Sequence, residues 1–199
     1  MTSQSVSESP GVGRPRSERA RLAVLEAAAD LLVEGGLSAA TIEAVAARAG
    51  VSKVTIYRWW PTRGAVAIDA YFHRYRSTSV VVDTGDVAAD LLAQIRLLEE
   101  AFRGRAGELM AELIGRTQAD ASLAEDFAAG WLQPRRTATA DLLRAAVARG
   151  EIRPDVDLPT LLDQLFAPIY WRLLMQHGPL DEAFAAALVD NLLGGVGPR

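Results

Sequence analysis

Lys53, Val54, Thr55 and Tyr57 gather an ammonium donor, two methyl-bearing side chains and a phenol within five positions. These groups suit the edges of DNA bases. A lysine can donate to guanine O6 and N7, and the Val and Thr methyls can touch thymine C5-methyls. Spacing places Lys53, Val54 and Tyr57 on one strip of a short helix and Ile56 and Trp60, four apart, on its inner face. Ser52 stands where a hydroxyl caps that helix. A first helix precedes it, capped by Thr41, with Ile42, Val45, Ala46 and Ala49 at i, i+3, i+4 and i+7. Gly50 supplies the left-handed conformation that ends it, and Val51 plugs the corner. Two short helices joined by a tight turn, the second showing a Lys, a methyl and a Tyr to solvent, suit a major groove. Thr41 can also hold a phosphate through its hydroxyl and the free N–H groups of its helix.

Thr41, Ile42, Ala46, Ala49-Gly50-Val51-Ser52, Thr55-Ile56-Tyr57, Trp60 and Thr62-Arg63 together resemble the helix-turn-helix of the TetR family of transcriptional regulators. The resemblance covers roughly residues 17–75. Beyond it the likeness is one of helical layout, with a family-like RGEIRPDVD stretch at Arg149–Asp157. The chain departs from the pattern twice: Trp59-Trp60 replaces a His-Phe or similar pair, and Gly64 replaces a frequent acidic residue. The resemblance implies that Tyr57, Trp59 and Arg63 act mostly on phosphates. It also implies a dimer built on the two C-terminal helices, an inducer cavity in the body and repression as the default.

The 199 residues are half apolar, enough to bury a core. With no cysteine, disulfides, thiolate metal sites and Cys nucleophiles are excluded, which fits a reducing cytoplasm. No apolar run is long enough to span a bilayer, and no apolar leader opens the sequence, so neither membrane insertion nor secretion is expected. The net charge of −4 is unevenly spread. Residues 1–76 hold 10 Arg/Lys against 7 Asp/Glu; residues 77–199 hold 11 against 18. A basic first part beside an acidic second part fits a DNA-reading head on a body that does not touch DNA, though ordinary surface variation would look the same.

Residues 1–16 are Ser-, Gly- and Pro-rich and read as a flexible arm. It ends in Gly13-Arg14-Pro15-Arg16, whose Arg14 and Arg16 either enter a minor groove or touch phosphates as a generic basic tail. A first helix is expected over about Ser17–Glu34, stopped by Gly35-Gly36. A fourth opens after the Thr62 cap and carries Ile68, Phe72 and Tyr75; Gly64 weakens its first turn by roughly 1 kcal/mol. These elements form a head over 17–76. Ser77–Gly85 reads as a linker, and 77–199 as a helical body for ligand binding and dimerisation.

In the body, Asp86 caps a stripe of Val87, Leu91, Ile95 and Leu98. Gly104 and Gly107 break before Leu109, Met110, Leu113 and Ile114. Ser122 opens a helix with Phe127 and Trp131, which Pro134 kinks or restarts, and Gly150 ends the next. Leu158–His177 is the most apolar helix, and Asp181–Leu193 follows it. Phe102, Met110, Phe127, Trp131, Phe166 and Tyr170 are candidate lining of a ligand cavity. The same spacing also describes plain core. His73 and His177 have no Glu three residues before them, and phosphate-loop, Gly-x-Ser-x-Gly and Gly-x-Gly-x-x-Gly patterns are absent. No catalytic residue, metal or cofactor is expected.

The fold class read from the sequence is all-α: a three-helix head with a helix-turn-helix and a helical-bundle body. The function read is a ligand-responsive, DNA-binding transcriptional regulator, a repressor by expectation. Its partners would be a second copy of itself, a palindromic double-stranded operator and a small, largely apolar inducer. The alternative is a helical ligand-binding or scaffold protein with an inactive head, for which Gly64 and the Trp pair speak.

Overall fold

A computed structural model describes residues 13–75 and 81–196 of the protein, with side chains from Ser17 onward in the first helix. Residues 1–12 of the expected arm, the Arg14 and Arg16 side chains, and the first part of the expected linker lie outside the described residues, while the last four positions expected in the arm, 13–16, already belong to the first helix, which starts at Gly13 and not near Ser17.

The described chain is helical and, among the described residues, forms no strand. Its helices are α1 Gly13–Ala39, α2 Ile42–Ala49, α3 Lys53–Tyr57, α4 Arg63–Tyr75, α5 Val87–Ala101, α6 Arg105–Thr117 and α7 Ala121–Phe127. A π-helical turn, Ala128–Leu132, leads from α7 directly into α8 Gln133–Arg149; α9 Leu158–Met175 and α10 Glu182–Val196 complete the chain. Aspartates open four body helices. Asp86, Asp120, Asp157 and Asp181 each accept from the backbone N–H three residues on, at 2.9–3.0 Å. These carboxylates satisfy orphan N–H groups where the helix dipole also favours negative charge.

Several boundaries differ from expectation. Asp120, not Ser122, caps α7, which leaves Ser122 inside the first turn. α9 stops at Met175 because Gln176 takes a left-handed conformation, φ 50°. Pro134 lies at the start of α8, directly after the π-turn, and neither ends the helix nor opens a separate one. α1 does lose helical geometry at Gly35 (φ −144°, ψ 19°) and Gly36 (φ 67°, ψ −164°), but helix resumes for one further turn to Ala39.

In the head, α1 lies across α2 and α4. Val24, Ala28, Val45 and Ile56 have no exposed surface, and Trp60 is buried with them. α4 belongs to both halves: it packs on α1 and on α7 with the π-turn. In the body, Leu91, Ile95 and Leu98 of α5 are wholly buried, each contributing about 1.5–3 kcal/mol of apolar transfer. α10 covers α5, and α8 lies between α5 and α9. The loop after α8 is tied at both ends: Val87 N–H donates to Glu151 at 2.7 Å, and Arg153 N–H to the Val196 carbonyl at 3.1 Å.

Candidate nucleic-acid interface and aromatic core

α3 has only five residues, so its position depends on what holds it from behind. Ile56 and Trp60 provide that anchor, and the Trp60 indole N–H donates to Asp69 of α4 at 2.7 Å. Ser52 accepts from Thr55 N–H at 3.1 Å, and the two hydroxyls lie 2.9 Å apart. Thr41 accepts from Ala44 N–H at 3.1 Å, and Gly50 (φ 66°) closes the turn between the helices. With the inner face occupied, Val54 stands 73% exposed and Tyr57 52% exposed. An apolar and an aromatic side chain presented in this way by a helix backed from behind suit contact with a major groove. Trp59 is half-buried, its ring edge-on to Trp60 at 5.8 Å.

Lys53 is exposed but ion-paired with Glu43 of α2. That pair holds the Glu43 carboxyl below its usual range. DNA docking on α3 would have to break it. Glu43→Gln is therefore expected to tighten binding to any duplex a few-fold at low salt, because it frees Lys53 and removes a like charge from the face. Anisotropy titrations at low and high salt check this. Unchanged affinity at both would mean that the ion pair has no bearing on docking.

The family resemblance puts Arg63 on phosphate. In the structure its Nε donates to the Ala40 carbonyl at 3.1 Å, and its Nη2 to that of Leu37, which leaves other N–H groups of the guanidinium for such a contact. Two of its donors thus tie α4 to carbonyls in and just after the last turn of α1. Gly64, a weak point by sequence, lies in close packing with α7. A Cβ there would lie 2.5 Å from the Asp126 carboxylate and 3.0 Å from a Leu123 methyl of α7. Asp126 also accepts from the Thr62 hydroxyl, which itself caps α4 through Ala65 N–H at 2.9 Å. Glu112 of α6 accepts from Leu37 N–H at 3.1 Å, and Arg105 reaches the Leu32 and Val33 carbonyls at the end of α1. Body side chains thus hold both the end of α1 and the start of α4.

The six candidate lining residues fall into different places. Phe102, Trp131 and Tyr170 meet in one cluster: Phe102 is 5.7 Å from Tyr170 and 6.5 Å from Trp131, and the Trp131 indole N–H donates to the Tyr170 oxygen at 2.7 Å. Met110 is fully buried, and Phe127 is half-buried with no ring contact to the cluster. Phe166 and Tyr170 border an outer groove of about 720 Å³ between α8 and α9, with Leu132, Pro168, Trp171 and Leu174. Two contributors escaped the sequence reading. Phe72 of α4 stacks on Trp131 at 4.6 Å and 9°, and the Arg135 guanidinium, on a residue only 7% exposed, sits over the Trp131 ring at 4.0 Å. Helical spacing marks Phe72 as apolar face and Arg135 as one of many arginines; neither signal points to the cluster. Burial lowers the Arg135 pKa and raises those of Tyr71 and Tyr170. Among the described residues, no group of three or more His, Asp or Glu is gathered as for a metal, and no helix is long and apolar enough to cross a membrane.

A capped, buttressed helix-turn-helix joined through α4 to a helical bundle with an aromatic interior defines a DNA-binding regulator with a ligand-binding domain. Comparison makes this specific. Residues 24–69 match the model of bacterial regulatory proteins of the tetR family, and residues 81–192 that of the tetracyclin repressor-like C-terminal domain. An uncharacterized HTH-type transcriptional regulator, YdeS of Bacillus subtilis, is 37% identical over 92% of this chain and 93% of its own. The DNA-binding transcriptional repressor TetR of Mycobacteroides abscessus is 33% identical over 89% of this chain and 94% of its own. The crystal structure of the TetR family transcription regulator SCO0332 superposes with a TM-score of 0.76 at 47% identity, covering 90% of this chain and all of that one. The chain belongs to the TetR family of transcriptional regulators.

Proposed function

We propose that the protein is a repressor that binds a palindromic operator as a homodimer and leaves it when a small, largely apolar ligand enters the body. The observation that carries the DNA half is α3: a five-residue helix locked from behind by Ile56 and Trp60, with Val54 and Tyr57 presented outward. In this reading Lys53, Val54 and Thr55 meet base edges. Tyr57, Trp59, Thr41, Ser52 and the uncommitted N–H groups of Arg63 meet phosphates, and Arg14 and Arg16, in the first turn of α1, extend the contact. Residues 17–76 act as the head and 77–199 as the body. The repressor named in Mycobacteroides abscessus supports the sign of regulation.

The dimer reading rests on α9. Trp171, Leu174 and Met175 are 57%, 37% and 53% exposed along the helix, beside the α8–α9 groove. A large exposed apolar strip of this kind is a protein-contact surface, and a second copy packing α9 and α10 against their equivalents would bury it. Two recognition helices would then sit about one DNA turn apart, ~34–36 Å. The ligand reading rests on the Phe102–Trp131–Tyr170 cluster, which Phe72 connects to α4. A ligand separating these rings would move α4 and change the spacing of the heads, in proportion to its differential affinity for the two states. No catalytic role is assigned to the chain, and the reading places it in the cytoplasm.

The test is anisotropy with DNA from upstream of its own gene, across a salt series and against scrambled competitor. Specific binding of two chains per site, with a log–log salt slope near about −0.9 per phosphate contact, is expected. Tyr57→Ala should weaken binding to all sequences alike. Lys53→Ala should cost about 1–3 kcal/mol at particular base pairs only and so relax specificity. If both variants bind like the parent, α3 is not the reading element. A monomer in sedimentation at micromolar concentration would remove the dimer.

A further inference from the structure

We propose that the body carries a binding site for an organic ammonium ion, in the opening between α5, α6 and the turn from α9 into α10, with Glu99 as its counter-ion. The opening has a volume of about 360 Å³ and shares no lining residue with the α8–α9 groove. Glu99 lines it, is 3% exposed, and its Oε1 has no hydrogen-bond partner among the described residues. A buried carboxylate oxygen without a donor is costly, and a ligand that supplies an N–H recovers that cost on binding.

Two arginines, Arg103 and Arg172, line the opening together with Glu99 and Glu108, but neither bonds to Glu99 Oε1. Arg96 of α5 is ion-paired with Glu182, at the start of α10. Arg103 is largely exposed and lies 3.9 Å from Glu100. Glu108 pairs with Arg105 at 2.9 Å, and the Arg172 guanidinium lies 3.8 Å over the Phe184 ring and donates to the Pro179 carbonyl. Burial, then the Asp181 and Glu182 carboxylates, push the Glu99 carboxyl above its usual range, while Arg103 and Arg96 oppose this. An ammonium ion would restore the charged carboxylate. The walls suit the rest of such a ligand. Phe102, Leu173 and Leu180 are apolar. Gly107 has no Cβ, which would collide with the Phe102 carbonyl, so α6 closes tightly there.

Phe102 also touches Trp131 and Tyr170, so an occupant would border the cluster that reaches α4. The binding claim itself does not rest on operator recognition, and its test needs no DNA. Calorimetric titration of the full chain with 3-phenylpropylamine, 3-phenylpropan-1-ol and 3-phenylpropanoate separates charge from shape. The expected result is one amine per chain, bound at least ~10-fold more tightly than the alcohol, with no measurable carboxylate binding. Glu99→Gln should weaken the amine ~10-fold and leave the alcohol unchanged. Ala111→Trp, which fills the opening without altering Glu99, should abolish both, and it carries the test if the Glu99 variant fails to fold. Equal affinity for amine and alcohol, amine binding that survives either substitution, or no amine binding at millimolar concentration overturns the proposal.

Discussion

Trp131→Ala is expected to destabilise the protein by about 3–5 kcal/mol, the range for truncating a buried aromatic side chain. Trp131 is 5% exposed and carries four different interactions. It stacks on Phe72, meets Phe102, lies under the Arg135 guanidinium and donates to Tyr170. Alanine leaves a cavity, removes the aromatic face beneath a buried cation and deprives Tyr170 of a donor. Trp131→Phe keeps the apolar contact and loses chiefly the indole hydrogen bond, so about 1–2 kcal/mol is expected. Urea unfolding of the three proteins gives the comparison through their midpoints. A loss below about 1 kcal/mol for the alanine variant would show that the rings do not form a packed core. Since Phe72 lies on α4, the same variant should also weaken the dependence of DNA binding on any body ligand.

Gly36→Ala is the second large effect, roughly 2–5 kcal/mol. Gly36 combines φ 67° with ψ −164°, a region essentially closed to residues with a Cβ. The added methyl would also run into the Glu112 carboxylate, the acceptor for Leu37 N–H. Backbone strain and loss of a charge-assisted hydrogen bond therefore act together. Glu112→Ala alone removes only the second, and the Gly36→Ala/Glu112→Ala double variant relieves the collision but not the strain. The double variant should thus recover part of the stability lost by Gly36→Ala. If Gly36→Ala costs no more than Glu112→Ala, the backbone conformation is not constrained as described. Operator affinity should fall with Gly36→Ala as well, because α6 would no longer fix the end of α1 and with it the head.

The helix-turn-helix was legible because its signals are local. Thr41 and Ser52 cap, Gly50 turns left-handed, and Ile56 and Trp60 fall on one face, all within twenty residues. The α5 stripe was legible for the same reason: Val87, Leu91, Ile95 and Leu98 are all buried. What escaped depends on residues far apart in the chain. An arginine at the start of α4 reads alike whether it meets phosphate or the Ala40 carbonyl. Gly64 reads as a weak helix start, whereas Asp126, more than sixty positions on, packs where a Cβ at Gly64 would lie. Phe102, Trp131 and Tyr170 stand out as aromatic body residues, but Phe72 and Arg135 join them only through the packing of α4 and α8.

The π-turn at Ala128–Leu132 has one more effect. It winds one residue more than an α-helical turn, and so rotates the faces of α8 by about 100° relative to those of α7. α7 and α8 are therefore a single rod whose two halves are out of phase. Before the offset, Leu123 points toward the start of α4; after it, Leu142, Leu143 and Ala146 are buried in the body, where α8 lies between α5 and α9. An uninterrupted helix would have carried one stripe along one side and could have served only one of these partners. Gly130, where a Cβ would come 3.0 Å from an Ile68 methyl, lets the rod cross α4 at the point where its stripe changes sides.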